Sequence, residues 1–255
     1  MKKIRYLLLI IVIMICIFFY QDPYAMEESK ILMAPTFENI LGCDNLGRDI
    51  FSRLLLGSFY TLAIAFLSIS LSVITGTIIG SLAGYFGKGI DVIIMSIVEV
   101  IMSIPGILIA LGIIIILGTG FHSLIVAIFV IYIPRCVNVV RGLVKKEKNM
   151  EYVIAVKTYG VSDLRIIYRH ILPNILKSVS VSFTTGFAGA ILTEAGLGYL
   201  GLGIQPPYPT WGNMLNQSQS YFLSAPWFTI APGLAIIFTI YQIKKLEKRG
   251  RKYWS

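Results

Sequence analysis

Charge is scarce in this sequence. Only 14% of its 255 residues are Asp, Glu, Lys or Arg, against about 25% in an average soluble domain. Histidine is nearly absent, represented by His122 and His170 alone. The three cysteines, Cys16, Cys43 and Cys136, stand far apart and join no CxxC or His/Cys cluster. That spacing gives neither a disulfide framework nor a metal site. No GxxxxGK[ST] phosphate loop occurs, and no HExxH or GxSxG, so ATP hydrolysis and hydrolytic catalysis have no visible seat here. The net charge of +9 invites a nucleic-acid reading. The basic residues lie beside apolar runs, however, as membrane topology requires, and no aromatic and arginine platform accompanies them.

Apolar sequence is abundant instead: 56% of the residues are hydrophobic, in runs too long for soluble core helices. The chain therefore reads as an all-α, polytopic membrane protein. Six transmembrane helices are expected, at about 6–20, 59–85, 91–117, 121–140, 178–203 and 227–243. The first follows Lys2, Lys3 and Arg5 and resembles the start of a signal peptide. Gln21-Asp22-Pro23-Tyr24-Ala25 is a poor cleavage site and no lipobox precedes Cys16, so an uncleaved anchor is expected.

Charge sets the orientation. One set of loops holds Lys2, Lys3, Arg5, Lys88, the nine Lys and Arg from Arg135 to Lys177, and the six from Lys244 to Lys252. The other set holds only Lys30, Arg48 and Arg53. The first set is expected in the cytoplasm, with both termini. This gives an anchor and external segment at 1–58, a transmembrane core at 59–243 and a basic cytoplasmic tail at 244–255. Within the core lie a cytoplasmic loop at about 141–177 and an external segment at about 204–226.

Several features inside the core have two readings each. Ser68, Ser72, Gly76, Gly80 and Gly84 recur every four residues, making a groove of small side chains where another helix, from this chain or from a partner, approaches closely. Glu99 and Glu194 lie in apolar spans, where a carboxylate costs about 2.5–3.5 kcal/mol on insertion. Each either lines a pathway or bonds a neighbouring helix. Pro105, after Ser103 and Ile104, kinks the third span as a hinge or as a static bend. The glycines at 196, 198, 201 and 203 loosen the helix after Glu194. Outside, Gln205-Pro206-Pro207-Tyr208-Pro209-Thr210-Trp211 carries no charge. Trp211, Met214, Leu215 and Phe222 are expected on the membrane interface, either as an external gate or as a re-entrant turn.

The basic loop is the most informative stretch. Glu151 to Tyr159 reads as a helix, Gly160 as its stop and Ser162 as the cap of a second helix. Ile166, Ile167, Ile171 and Leu172 form an apolar strip that fits either lipid or a protein groove.

From about Gly42 to Gly233 the chain resembles the inner permease subunits of ABC importers for peptides and nickel, of the C type. Gly42-Cys43-Asp44-Asn45-Leu46-Gly47-Arg48-Asp49-Ile50-Phe51-Ser52-Arg53 is similar to that family's external signature, with Cys43 where Thr is usual. Asp44, Gly47, Arg48, Asp49 and Arg53 carry the match. Ala83-Gly84-Tyr85-Phe86-Gly87, Asp91, Met95, Glu99 and Pro105 continue it, as do Glu194-Ala195, Leu200-Gly201-Leu202-Gly203, Gln205-Pro206-Pro207 and Trp211-Gly212. The basic loop resembles the family's EAA loop through Ala155, Gly160, Leu172 and Pro173, with Ile154 in place of the usual Glu and Val156 in place of the second Ala. The family's usual tail is absent.

The resemblance implies a permease that pairs with a second, homologous permease in the cytoplasmic membrane. Two ATPase subunits using ATP and Mg would dock below, and an extracellular solute-binding protein above. Tyr152, Ala155, Gly160, Leu172 and Pro173 would set the docking geometry, while Glu99, Pro105, Glu194 and Trp211 are candidates for the pathway or its gates. No cofactor, metal or nucleic acid is expected on this chain, and the basic tail suits anionic lipid at the inner face. The competing readings are an ATPase-independent channel or secondary carrier, and a membrane enzyme.

Overall fold

The computed structural model describes residues 19–254, with side chains as far as Lys248. Apart from Phe19 and Tyr20, the expected first span lies outside the described residues. The main helices are α1 (Ile50–Phe86), α2 (Lys88–Ser103), α3 (Gly106–Leu117), α4 (Phe121–Glu147), α5 (Glu151–Thr158), α6 (Asp163–Ile166), α7 (Leu172–Tyr199), α8 (Trp211–Ser218) and α9 (Pro226–Trp254). Among the described residues the only strand-like pairing is an isolated bridge between Cys43 and Asp49.

Among the described residues, four stretches are long and apolar enough to cross a membrane: Ile50–Phe86, Phe121–Glu147, Asp163–Tyr199 and Pro226–Lys248. The expected third span is broken. Its two halves, α2 and α3, bend by 91° and pass the same test only as a pair. Proline explains the break. Pro105 has no amide to donate and forces its predecessor out of the helical region. Ile104 is accordingly extended, at φ −93° and ψ 129°, and Pro105 becomes the cap of α3.

The expected fifth span also differs, because its helix starts well before Ser178. Asp163 to Tyr199 is continuous, and Pro173 does not stop it. The turn Ile167–Ile171 widens instead, with the Leu172 amide donating to the Ile167 carbonyl. A widened turn admits a proline whose ring would otherwise strike the carbonyl four residues back. The helix then ends as its glycines suggest. Gly201 adopts φ +78°, the Leu202 amide reaches the Leu197 carbonyl at 2.9 Å, and the Gly201 amide reaches that of Gly198 at 3.0 Å. That pair of bonds is a Schellman cap.

The chain divides into two compact units. One contains the described residues up to Leu62 with Ala195–Phe238, and the other contains Ala63–Glu194 with the residues from Thr239 onward. In the second unit the small-residue stripe of α1 packs on α4. A Cβ added to Gly80 would lie 2.7 Å from the Val137 carbonyl oxygen, and one on Gly84 would lie 2.7 Å from that of Arg141. The Ser72 hydroxyl donates to the Phe129 carbonyl at 3.0 Å. The stripe is therefore used within the chain, where close backbone approach supplies dispersion contacts that lipid cannot.

Candidate functional site

The docking candidates lie in the second unit, around α5. Only Val153 of this eight-residue helix is buried. It joins a core of Tyr85, Val144, Ile166, Ile167, Ile171 and other buried residues, against which Val156 and Leu172 pack. The apolar strip expected on the second helix thus turns inward, satisfied by protein and not by lipid. The rest of α5 faces outward. Tyr152 and Ile154 are exposed, as is Ala155. Beyond the helix, Tyr159 is 87% exposed and Tyr168 79% exposed. A helix this short is marginal by itself. Here it is held by one apolar anchor and by polar ties at its N-terminal end.

The ties are specific. The Tyr152 hydroxyl donates to Glu147 Oε1 at 2.6 Å and accepts from Asn174 Nδ2 at 2.8 Å. Asn174 Nδ2 also reaches Glu147 Oε1 at 3.2 Å. Burial, followed by the Glu147 bond, raises the Tyr152 phenol above its ordinary pKa. This network brings Tyr152 to the start of α7, beside Leu172 and Pro173. Gly160 stops the helix at φ +76°, and nothing lies within 4 Å of where its Cβ would be. Ser162 has the extended backbone of a cap but makes no capping bond with its side chain. Behind α5, a pocket of about 310 Å³ is lined by Tyr85, Lys148, Val153 and Lys157 among others.

Sequence reasoning missed the charged pair beside this loop. Asp91, in the first turn of α2, receives Arg141 Nε and Nη2 at 2.5 Å and 2.6 Å. A bidentate guanidinium–carboxylate pair of this kind fixes orientation as well as distance. A lone acid after Lys88, facing a basic loop, was the available signal. Glu147 and Asn174 were missed because their partner, Tyr152, lies on another element.

The external signature folds as one cluster in the first unit. Asp44 is fully buried. Its Oδ1 accepts the amides of Leu46 and Arg48, at 2.8 Å and 3.0 Å. Its Oδ2 meets Arg48 Nε at 2.7 Å and Arg53 Nε at 3.3 Å. Both arginines also point to Gln217 Oε1 of α8, at 3.2 Å and 3.5 Å. Asp49 caps α1 by accepting the Ser52 amide at 2.8 Å, and takes Asn39 Nδ2 at 2.9 Å. Gly47 sits at φ +73°, its absent Cβ leaving room for the Glu27 carbonyl. Burial, then the Asp49 charge, pushes the Cys43 thiol up to about 11.

Trp211 is placed differently from expectation. It is 3% exposed, not spread on an interface. Its ring nitrogen donates to the Leu54 carbonyl at 3.1 Å and its amide to Thr61 Oγ1 at 3.1 Å. Thr210 and Asn213 cap α8 reciprocally in front of it. Met214 is also buried, whereas Phe222 is exposed. Of the other candidates, Glu99 and Pro105 are exposed and Glu194 is fully buried.

The chain is similar to known proteins. A family model described as "Binding-protein-dependent transport system inner membrane component" matches residues 76–245. The dipeptide transport system permease protein DppC of Alkalihalophilus pseudofirmus is 39% identical over 214 residues, covering 84% of this chain and 70% of that one. The glutathione transport system permease protein GsiD of Pectobacterium atrosepticum is 39% identical over 225 residues, covering 87% of this chain and 75% of that one. A solved structure of the MetNI methionine ABC transporter, in an inward-facing conformation, superposes with a TM-score of 0.66 at 20% identity. It covers 78% of this chain and 95% of that chain, which shows a shared fold.

Proposed function

This chain belongs to the inner membrane components of binding-protein-dependent transport systems, and from that premise we propose that it is the non-catalytic half of a peptide pathway driven from the cytoplasmic side. It is a multi-pass membrane permease of the ABC transporter class. Beyond that class, our reading is that α5 docks an ATPase. A second, homologous permease completes the pathway, and two ATPase subunits supply ATP and Mg chemistry. A solute-binding protein delivers cargo outside. Six spans with both termini inside fit the loop charges, and the divisions at 58 and 243 follow from the same topology.

The observation that carries the docking reading is the exposed apolar face around α5. Ile154, Tyr159, Leu164 and Tyr168 project from a loop that is otherwise basic. Exposed apolar groups on a braced, charged segment mark a protein contact. Tyr152, Leu172 and Pro173 brace the helix, Ala155 keeps its face flat, and Gly160 leaves space that a partner fills. For cargo we propose short peptides, the class named for the dipeptide and glutathione relatives. Glu99 and Glu194 are proposed as pathway carboxylates, Pro105 as the hinge between α2 and α3, and Trp211 as the peg that seats α8. Alternating access follows only when the ATPase binds two permease states with unequal affinity.

Ile154→Asp tests the docking. The expected result is a chain that inserts normally but no longer co-purifies with the ATPase subunits proposed as its partners. Retention of the ATPase by that variant contradicts the reading. Transport by the purified chain without any ATPase would instead select an autonomous channel or carrier.

A further inference from the structure

The geometry points to Tyr85 as a positioning residue that couples movement of the docking loop to the transmembrane helices. This inference rests on the docking reading of α5 and names the part that transmits its motion. Tyr85 is the penultimate residue of α1 and is 2% exposed. Its hydroxyl donates to Asp163 Oδ1 at 2.6 Å. Asp163 opens α6, directly after the Gly160 turn. Lys148, which follows the last residue of α4, donates from Nζ to the Tyr85 carbonyl and lies 5.2 Å from the ring centroid.

One side chain thus gathers three places in the chain: the end of α1, the end of α4 and the start of α6. Between the last two runs α5, whose other face is open. The loop Asn149–Ser162 is therefore pinned at both ends to the same residue. Without such a pin, a push on α5 would be absorbed in the two short connections, Lys148–Met150 and Tyr159–Ser162. With it, the push passes to α1 and α4. The bond is charge-assisted and part-buried, and a charged acceptor strengthens a hydrogen bond about twofold over a neutral one. The ring and the hydroxyl have separable roles. Lys148 uses the ring and the carbonyl, whereas Asp163 uses the hydroxyl alone.

That separation gives the test. The complete transporter, with its ATPase and binding protein, is reconstituted, and peptide uptake and ATP hydrolysis are measured together. Tyr85→Phe keeps the ring and removes the donor. It is expected to leave co-purification and hydrolysis near wild type while lowering uptake per ATP about tenfold, the factor that one charged hydrogen bond commands. Asp163→Ala should behave alike, and the double variant should be no worse than either. Asp163→Asn keeps an acceptor oxygen without the charge and should recover part of the ratio lost in Asp163→Ala; a ratio equal to that of Asp163→Ala overturns the inference. A wild-type ratio in Tyr85→Phe overturns the inference. So does a proportional fall of uptake and hydrolysis, which a purely structural role would give. If the wild-type chain holds no ATPase, the docking reading fails first and takes this inference with it.

Discussion

At the scale of residues, the external cluster is the most demanding arrangement described. Two guanidiniums, Arg48 and Arg53, share one carboxylate, Asp44, and all three side chains are buried. Removing one partner of a buried pair typically costs about 3–5 kcal/mol, because the charge left behind stays out of water. Asp44→Asn should therefore lower the thermal midpoint in detergent markedly, whereas Asp22→Asn, at an exposed position, should change it little. Equal midpoints would contradict the arrangement. Cys43 gives a second prediction. Its thiol is held neutral in the folded chain, with a pKa near 11 against an ordinary value of 9.0. The folded state then binds the proton more firmly than the unfolded state, so this group's contribution is complete below pH 9 and is lost as pH rises through 11. Replacing Cys43 with Ser should flatten that alkaline loss. In native protein a maleimide should leave Cys43 unmodified at neutral pH, and denaturant should expose it.

At the scale of elements, regular spacing is legible in the sequence and breaks in regularity are less so. The stripe from Ser68 to Gly84 announces a close helix contact because every fourth residue is small. Only the structure shows that the partner is α4. Gly80→Leu should force α1 and α4 apart, costing about 1–3 kcal/mol by overpacking, read as loss of folded protein in detergent. A stable, active Gly80→Leu chain would contradict that contact. Pro105 announces a kink, yet the 91° break also requires Ile104 to be extended and α3 to restart at once. Pro173 lies inside a continuous helix, and the widened turn beside it accommodates the ring. The reason is tertiary: Ile166, Ile167 and Ile171 are all buried in one core, and a continuous helix keeps them there. Trp211 looks like an interfacial anchor by residue type. Its bond to Thr61, 150 positions away, decides otherwise, and no local pattern records such a contact.

At the scale of the whole molecule, the membrane class is written in composition, the proposed orientation rests on the Lys and Arg asymmetry, and the proposed docking loop stands out as the one long basic interruption. The direct bonds that brace that loop, Tyr152 to Glu147 and Tyr85 to Asp163, join distant segments and become visible only in three dimensions. Gly160→Leu belongs at this scale. An L side chain at φ +76° costs about 1–2 kcal/mol, and no atom of this chain stands in its way. The variant should reach the membrane in nearly normal amount and yet lose uptake, because under the proposed docking the new side chain fills the space an ATPase would occupy. Normal uptake would place the docking contact elsewhere.

The central claim is that this permease moves solute only when an attached ATPase moves it. The most direct measurement is peptide uptake into proteoliposomes containing the two permeases and the binding protein, with and without the ATPase subunits. The account predicts ATP-dependent accumulation in the complete system and none in the vesicles lacking ATPase. Equal accumulation in both would contradict it.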